Sequence, residues 1–544
     1  MVALVSSHEQ RSAREVSLTR GTGRRMLAMA GGTAVSRGTG LLRVLVLAWV
    51  LGFSPLADAF NLANTIPNML FDLVLGGVLS ATFIPVFIEQ LAVQGERRAW
   101  RSISSVVSVA LLTLLVACVV TFVAAPWIID GFTALQHSPK QIVTPTVVHQ
   151  RVVATTFLRW FVPQVFFYGV IGIGSALLNI RHRFGVVAWA PIANNLVCIV
   201  VLFWFHLVDP SPTLASVSQH HHLLWLGLGT SLGVAVQFLC MVPSLARNDL
   251  YRLRLRFDFA DPALRAIARL GSWTLAVVVT NQVSLYVVLA FAFGIGGNGP
   301  VSAYTYGWSF MQMPYAVIVV SVLGVLTPQL AGLATANDAV GFTRRLSQGL
   351  RQSLVIIVPC AAALVVLAQP VVGVLLNHGR LSANLLAGSV VAVLAAGLPG
   401  FTVFQLCIRG LQALQRARDV FLLYALENGL TIALCFVLGR HSMTGLTGAV
   451  SLAYTLSAVV ALAVLHVQRV PLVGTLASRA VRRSAVGSLA MAFVMAGAYA
   501  AVTWSAGALL LVRVGLAAVM GIVTYGLVLY IGERRDALRR NVEP

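Results

Sequence analysis

The sequence predicts an all-α polytopic membrane protein with about fourteen transmembrane helices, arranged as two pseudo-symmetric six-helix bundles plus two C-terminal helices. Three observations support this fold class. The chain is 58% hydrophobic and only 10% charged, whereas soluble domains carry about 25% charged residues. Apolar runs recur along its length, each near the ~20 residues needed to cross a bilayer. Most of its 38 basic residues fall between these runs, on one predicted side of the membrane.

Each apolar run is expected to form a helix, because a backbone surrounded by lipid has to satisfy its own hydrogen bonds. Polar or Gly/Pro-rich breaks separate the runs. In chain order, the predicted helices cover residues 27–51, 61–90, 102–126, 152–178, 186–206, 223–243, 268–293, 302–331, 350–376, 385–410, 419–439, 445–467, 484–505 and 510–531. The even number of spans places both termini on the same side.

Arginine placement orients these spans. The loops on the side of the termini hold most of the basic residues, whereas the opposite side has only Lys140, Arg151, Arg380 and Arg440. Because positive charge marks the cytoplasmic side, we predict a multi-pass plasma-membrane protein with cytoplasmic N- and C-termini. The net charge of +21 then follows from topology, and we expect no nucleic-acid partner.

The longest charged stretch, 244–267, separates six predicted helices from eight. We therefore predict a cytoplasmic tail (1–26), an N-terminal six-helix lobe (27–243), a basic cytoplasmic linker (244–267), a C-terminal six-helix lobe (268–467), two additional transmembrane helices (468–531) and a cytoplasmic tail (532–544). Weak similarity between the fourth and tenth helices, which both start near a proline and end in a basic turn, supports a repeat. Facing repeats with a ligand site between them are a common transporter plan, so we expect a transporter rather than an enzyme.

Residue content limits the energy source and cofactors. The only lysine, Lys140, does not follow a glycine-rich phosphate loop, so the chain lacks a Walker A motif. The six cysteines all lie in apolar runs without a metal-binding spacing. We expect no cofactor and no metal, with the membrane potential, or a proton or monovalent cation gradient, as the driving force.

Two arginines lie within the first predicted helix. Burying an ionisable residue at the centre of a membrane helix costs roughly 3 kcal/mol or more, so each is a candidate functional residue. The six-residue spacing of Arg37 and Arg43 separates them by about 120° around the axis, which suits one wide cavity. Guanidinium groups bind phosphate in a bidentate manner. The alternative is that the side chains snorkel to the headgroups.

The second predicted helix carries polar and helix-breaking residues. Asp58 at its start is a candidate functional residue or, alternatively, an N-cap. Pro67 within the apolar run, followed by Gly76 and Gly77, predicts a broken helix with bending points, and we assign these three to gating. Asn68, next to the proline, is a candidate substrate-binding residue.

The eleventh predicted helix contains the adjacent pair Glu427 and Asn428. Glu427 is the only acidic residue at mid-span in the second bundle. A buried carboxylate there can hold a cation or pair with an arginine. We therefore consider the pair a candidate site for a monovalent cation or proton.

With these residues in view, the chain resembles the MurJ (MviN) family of lipid II flippases, within the multidrug/oligosaccharidyl-lipid/polysaccharide exporter superfamily. The resemblance covers nearly the whole chain. It is carried by Ser36-Arg37 through Arg43, Gly52, Ala57-Asp58-Ala59-Phe60, Ile66-Pro67-Asn68, Gly77-Val78-Leu79-Ser80 to Phe83-Ile84-Pro85, and Pro163-Gln164-Val165-Phe166-Phe167-Tyr168 through Leu178-Asn179, Arg181, Phe184 and Pro191.

The resemblance implies a V of two six-helix lobes around a cationic cavity, with two extra helices forming a groove for a polyprenyl tail. It implies that Arg37 and Arg43 bind the pyrophosphate of lipid II and that Asp58 helps to gate the outer side. The implied activity is alternating-access transfer of the undecaprenyl-linked disaccharide-pentapeptide to the outer leaflet, for cell-wall biogenesis and cell shape. Implied partners are lipid II or a related polyprenyl-linked glycolipid, membrane lipids and the peptidoglycan synthesis machinery.

The sequence also departs from the family pattern. Phe71 and Gly76 stand where well-studied members have an arginine and a glutamate, and Trp308-Ser309 stands where they have an Asp-Arg pair. In these stretches the chain looks more like the actinobacterial branch. The cavity would then carry fewer charges. Three alternatives stay open: a flippase for another polyprenyl-linked oligosaccharide, a cation-coupled drug antiporter that depends on Glu427, and a non-transporting membrane scaffold.

Overall fold

The computed structural model of the chain describes residues 31–73, 96–134, 144–181, 183–219, 222–248, 253–375, 381–501 and 510–542. The elements found within these ranges are all helical. Twelve of the helices are long and apolar enough to cross a membrane, and there are up to 13 if one bent pair counts as a single span. The all-α polytopic fold is confirmed, while the count of fourteen spans stays a prediction.

Fifteen helices, labelled in chain order, make up most of the described chain. They are α1 (Gly31–Leu51), α2 (Pro55–Phe71), α3 (Glu96–Thr133), α4 (Pro145–Ile180), α5 (Phe184–Val208), α6 (His222–Asn248), α7 (Pro262–Ile295), α8 (Pro300–Thr335), α9 (Ala339–Leu375), α10 (Leu381–Ala396), α11 (Leu398–Ala413), α12 (Ala417–Leu438), α13 (Met443–Val467), α14 (Arg479–Ala501) and α15 (Leu510–Val542). Two short helices, Leu214–Gln219 and Val473–Leu476, lie in connections, and α8 contains a π-helical turn at Tyr315–Val319.

Helices α2 to α6 pack mainly on one another, with α4 in contact with α2, α3 and α6, and α5 against α6. Three aromatic rings fill the contact between α2 and α4. Phe60 meets Phe157 and Phe161 edge to face, with ring centroids 5.5 and 5.3 Å apart. Such edge-to-face pairs stabilise packing beyond the area they bury. The α2–α4 contact therefore gives α2 a fixed position on the first group of helices.

Helices α7 to α13 form the second group, in which α12 packs on α7 and α13, and α10 packs on α8 and α9. The predicted helix 385–410 is not continuous, because this region consists of two helices that meet at 44°. Pro399 lacks the N–H that would continue the hydrogen-bond ladder of α10. Gly397 permits the bend to approach α13, since a Cβ there would lie 2.6 Å from the side chain of Ser451.

The last two helices, α14 and α15, pack on each other and on α9. Two hydroxyl groups fix them to the same carbonyl of α9. Ser484 Oγ donates to Val355 O at 3.0 Å, and Tyr525 Oη donates to it at 2.6 Å. Among the described residues, the main contacts of these helices outside their own pair are thus with α9 of the second group, and the predicted lobe boundaries stay predictions.

The second helix begins earlier than the predicted residue 61. Ser54 provides the N-cap, with its Oγ accepting from Ala57 N at 3.1 Å, and Pro55 follows at the first helical position, which tolerates proline. The expected break at Pro67 is absent, because α2 runs through this residue to Phe71. Predicted residues 74–90 of this helix, including Gly76 and Gly77, lie outside the described residues.

Candidate functional site

A hydrogen-bonded contact joins the beginnings of α2 and α8, at the end of these helices that the charge pattern predicts to face outward. Asp58 on α2 is buried, with 2% of its surface exposed. Its Oδ1 accepts from both the backbone N and the Oγ of Ser302 on α8, each at 2.7 Å. Asp58 therefore links a helix of the first group to a helix of the second.

The backbone geometry of α8 explains why it needs this partner. Its N-cap residue is Gly299, which has no side chain to bind the first N–H groups. The unpaired N–H groups and the dipole of a helix N-terminus both favour a carboxylate. Asp58 supplies that carboxylate from another helix. The N-cap alternative for Asp58 is thus wrong for α2, which Ser54 caps, and the residue instead caps α8.

Two further residues extend this contact. Asn61 Nδ2, one turn after Asp58, donates to Ser302 Oγ at 3.0 Å and to Tyr306 Oη at 3.1 Å. Gly299 has a φ of +80°, and a Cβ there would lie 2.6 Å from Phe53. We call the residues Asp58, Asn61, Ser302 and Tyr306 the latch. All four side chains are buried, so the latch is shielded from bulk solvent.

A polar cavity of about 480 Å³ lies below the latch, between α2, α7, α8, α12 and α13. Its lining includes Asp72, Gln282, Tyr304 and Glu427. Gln282 Nε2 donates to Asp72 Oδ2 at 3.3 Å across the two groups of helices, and its buried Oε1 has no hydrogen-bond partner among the described residues. The cavity thus presents polar atoms from both groups to a ligand.

The predicted pair on the eleventh span lies in this cavity. Glu427 and Asn428 are buried on α12, with 3% and 5% of their surfaces exposed. Asn428 Nδ2 donates to Asn281 Oδ1 on α7 at 2.7 Å, and Thr431 Oγ1 donates to Glu427 Oε1 at 3.1 Å. The group therefore places a carboxylate, two amides and a hydroxyl together, which is a donor set suited to a monovalent cation.

The predicted arginines lie on α1. Neither Arg37 nor Arg43 is among the described residues that line it. Arg37 is exposed and Arg43 is half-buried. The Arg43 guanidinium lies beside the Cys198 thiol of α5 and within electrostatic range of the Tyr168 hydroxyl of α4. The structure therefore does not bring the arginines together with Glu427 in one site.

Helix α5 holds the arginine-bearing part of α1 through an amide. Asn195 Nδ2 donates to Thr39 Oγ1 at 3.0 Å and to Ser36 O at 3.2 Å. Thr39 lies one turn before Arg43, and Asn195 one turn before Cys198, so the two helices run side by side here. The contact therefore holds the Arg43 segment of α1 in a defined position against α5.

Two other predicted residues lie on α2 without a ligand-facing contact. Asn68 is exposed, and its Nδ2 donates to Asn64 O at 2.9 Å within the same helix. Pro67 is buried inside α2. The Asn68 side chain is therefore accessible to solvent or lipid, and its predicted role in substrate binding stays a prediction.

Sequence reasoning missed three residues that the structure brings into these sites, namely Ser302, Tyr306 and Asn281. Ser302 bonds to a residue 244 positions away in the chain, and hydropathy gives no information about such pairing. A weak signal was present, because Ser302 follows Gly299-Pro300 at the start of an apolar run, where helices need capping groups. Asn281 could have been noticed as a polar amide within a predicted transmembrane helix.

Comparison with known proteins supplies a further line of observation. A sequence model of the family described as "Lipid II flippase MurJ" matches residues 47–515 of the chain. The lipid II flippase MurJ of Burkholderia cenocepacia is 28% identical over 400 residues, which cover 72% of this chain and 73% of that protein. A probable lipid II flippase MurJ of Rhizobium meliloti is 26% identical over 421 residues, covering 76% and 75%.

Solved structures show the same fold. One, described as lipid II flippase MurJ in an inward closed conformation, superposes with a TM-score of 0.74 at 20% identity, over 94% of this chain and all of that one. An inward-facing multidrug resistance MATE family transporter of the MOP superfamily superposes with a TM-score of 0.65 at 14% identity, covering 79% of this chain and 94% of its own. At these identities the superpositions establish the arrangement of helices.

Proposed function

The chain belongs to the MurJ family of lipid II flippases, and we infer from this membership that it transfers lipid II across the membrane for cell-wall synthesis. The observation that carries this conclusion is the match of the family model over residues 47–515, which span both groups of helices. The protein is accordingly a multi-pass membrane transporter, not an enzyme.

Depletion of the protein tests this function. The outer-leaflet pool of lipid II would be measured in cells that lose the protein, while total lipid II is followed as a control for synthesis. We expect the outer pool to fall and the inner pool to rise. Unchanged transfer to the outer leaflet after complete depletion would contradict the proposal.

Transfer by alternating access requires that the two groups of helices close on one side at a time. The latch of Asp58, Asn61, Ser302 and Tyr306 is the closed outer gate in this proposal. Support comes from its burial and from its bonds between α2 and α8. In the outward-open state these bonds would break, and the helix α8 would lose its capping carboxylate.

We assign recognition of the pyrophosphate to Arg37 and Arg43, with Asn68 as a further polar contact. Half-burial of Arg43 beside Cys198 supports this role, because a guanidinium next to apolar helices needs an anionic partner to offset its desolvation. The fork of donors on arginine suits the oxygens of a phosphate. Arg37, which is exposed, would meet the same headgroup first.

We assign ion coupling to Glu427 and Asn428, assisted by Asn281. Their shared burial and the bond between Asn428 and Asn281 support a site that α7 and α12 form jointly. A monovalent cation or a proton there would stabilise one arrangement of the second group of helices. Membrane potential is the alternative source of drive.

A related polyprenyl-linked glycolipid is the second candidate substrate. The observation that favours it is the cavity of about 480 Å³, whose described lining contains Asp72 and Glu427 and no lysine or arginine. A lipid with a less anionic headgroup would suit this lining better. Competition between lipid II and a neutral-glycan polyprenyl lipid for the purified protein separates the two candidates.

Membrane orientation and protein partners are further parts of the proposal. The charge pattern supports cytoplasmic N- and C-termini, which reporter fusions at either end would test. We also propose contact with the peptidoglycan synthesis machinery, because that machinery consumes lipid II on the outer side. Cross-linking in intact cells followed by identification of the linked proteins tests this contact.

A further inference from the structure

An extended segment crosses the side of α3 before α7 begins. This segment, residues 253–260, is called the strap. Its backbone is hydrogen-bonded to serines of α3: Arg254 N donates to Ser104 Oγ at 3.2 Å, and Arg256 N donates to Ser108 Oγ at 2.9 Å. Donors two residues apart that point to one side are typical of an extended chain. The strap therefore runs along α3 in a fixed register.

Two more contacts complete the attachment. Ser105 Oγ on α3 donates to Asp258 O at 2.9 Å, and the Asp258 carboxylate lies 3.0 Å from the Arg256 guanidinium. These backbone groups of the strap are thus directed toward α3, and Leu253 packs on the buried cluster to which α3 contributes, whereas the apolar side chains that follow it are exposed. A segment held this way can present its side chains to a surface without unfolding.

Three large apolar side chains of the strap are exposed. Leu255 has 79% of its surface exposed, Phe257 55% and Phe259 65%. Leu255 and Phe257 are two positions apart, as expected for one face of an extended segment, and Phe259 lies in the turn that ends the strap. Contiguous exposed apolar groups of this kind mark a surface that binds another apolar phase.

The position of the strap along α3 indicates whether its exposed side chains lie in water or at the membrane. The exposed apolar stripe of α3 begins at Leu112 and continues through Leu115 and Val116. Ser108 precedes Leu112 by four residues, which is about 6 Å along the helix axis. The strap therefore lies at the level where the lipid-facing surface of α3 ends, which corresponds to the bilayer interface.

Exposed positive charge surrounds the same place. The strap itself exposes Arg254 and Arg256, and the adjoining ends of α3 and α7 expose Arg101 and Arg265. Asp258 pairs with Arg256, which leaves a net positive surface. Basic residues next to a membrane are attracted to anionic lipids.

We propose that the strap is an interfacial anchor that binds anionic phospholipids. Leu255, Phe257 and Phe259 enter the boundary between headgroups and acyl chains, while the neighbouring arginines bind the lipid phosphates. Apolar insertion combined with electrostatic attraction is the general basis of interfacial binding. The anchor would hold the connection between the two groups of helices at the membrane surface, whichever lipid the protein transports.

A spin-label experiment on the full-length protein tests the anchor. The label is attached to Phe257→Cys in a variant whose six native cysteines have been replaced. The protein is reconstituted in phosphatidylcholine vesicles with and without phosphatidylglycerol. Contact of the label with membrane-dissolved oxygen and with a water-soluble nickel chelate is then compared. A label at Ala336→Cys, exposed in the α8–α9 connection, is the aqueous control.

We expect the label at 257 to favour oxygen over nickel in vesicles that contain phosphatidylglycerol, unlike the label at 336. Removing two charges from the strap, in Arg254→Gln/Arg256→Gln, should abolish that preference. The matched pair Arg416→Gln/Arg418→Gln, exposed at the beginning of α12, should leave it unchanged. Nickel contact equal to the control in every vesicle would overturn the proposal. Shielding from both reagents would indicate a second copy of the chain on the strap and would overturn it as well.

Discussion

Asp58 of α2 caps α8 through Ser302, with the carboxylate Oδ1 2.7 Å from both the backbone nitrogen and the hydroxyl oxygen of that serine. The bond joins the two groups of helices at one end of the molecule. Because Gly299 offers no side chain for capping, α8 depends on α2 for this carboxylate. The need of the α8 N-terminus for a capping group thereby holds the two groups of helices together at this end.

Gly299→Ala should open this end without altering any hydrogen-bonding group. The residue has a φ of +80°, and an added Cβ would lie 2.6 Å from Phe53 Cα. Alanine is disfavoured at this φ and would clash in the closed state. We expect a cysteine introduced at Thr65, which lines the cavity below the latch, to react faster in this variant with a membrane-impermeant maleimide added outside, in a background without the six native cysteines. Gly324→Ala, where a Cβ meets open space, is the matched control and should not change the rate.

Ser302→Ala should weaken the closed state less than removal of the carboxylate does. The variant loses the Oγ bonds to Asp58 and Asn61 but keeps the backbone bond. One hydrogen bond to a charged group contributes about 1.5–3 kcal/mol. A double-mutant cycle with Asp58→Ala, read by the same maleimide reaction, should be non-additive. Strict additivity would mean that the two side chains act independently.

Arg43→Ala should abolish selective retention of lipid II by the purified protein in native mass spectrometry. The guanidinium is expected to bind two phosphate oxygens, and a loss of about 1.5–3 kcal/mol corresponds to roughly a 10- to 150-fold weaker complex. Arg43→Lys should recover only part of the affinity, because an ammonium lacks the planar fork.

Arg513→Ala is the control for loss of an arginine that faces Tyr499, away from α1. Its lipid II retention should match the wild type. Polyprenyl phosphate serves as the second control, since it shares the tail but not the disaccharide. Equal retention of both lipids by every variant would contradict a specific role for Arg43.

Glu427→Gln should separate ion coupling from lipid binding. The amide keeps the shape of the side chain and can still bond to Thr431, but it removes the negative charge that a cation requires. We expect proteoliposomes with this variant to lose any dependence of lipid II transfer on a sodium or proton gradient, while lipid II retention persists. The double variant Glu427→Gln/Asn428→Asp places a carboxylate one position later. It tests whether the coupling depends on the position of the negative charge.

Hydropathy and arginine placement were sufficient to predict the all-α membrane fold, because the bilayer leaves few ways to satisfy a buried backbone. The bend between α10 and α11 was not predicted. Gly397 and Pro399 were visible in the sequence, but glycine and proline also occur in unbroken spans. Pro67 shows the converse, since α2 runs through it. Whether a helix bends at such residues depends on the neighbour that packs there, such as Ser451.

The candidate site was predictable only where one residue was unusual by itself. Asp58 and Glu427 are carboxylates in apolar surroundings, and the structure finds both buried with hydrogen-bond partners. Their partners Ser302 and Asn281 are common polar residues, and sequence patterning cannot pair residues from distant helices. The sequence also could not show whether arginines line the cavity. The position of Arg43 within its helix does not specify which neighbouring helix its side chain faces.

The most direct test of the account is the distance between the two groups of helices at the latch. Spin labels at Ser211 and Asn298, which are exposed in the connection after α5 and in the connection before α8, would be measured by pulsed electron resonance in nanodiscs, in a cysteine-free background. We predict one short-distance population in the parent protein and a new longer-distance population in Asp58→Ala. Identical distance distributions in the two proteins would contradict the claim that Asp58 holds the outer side closed.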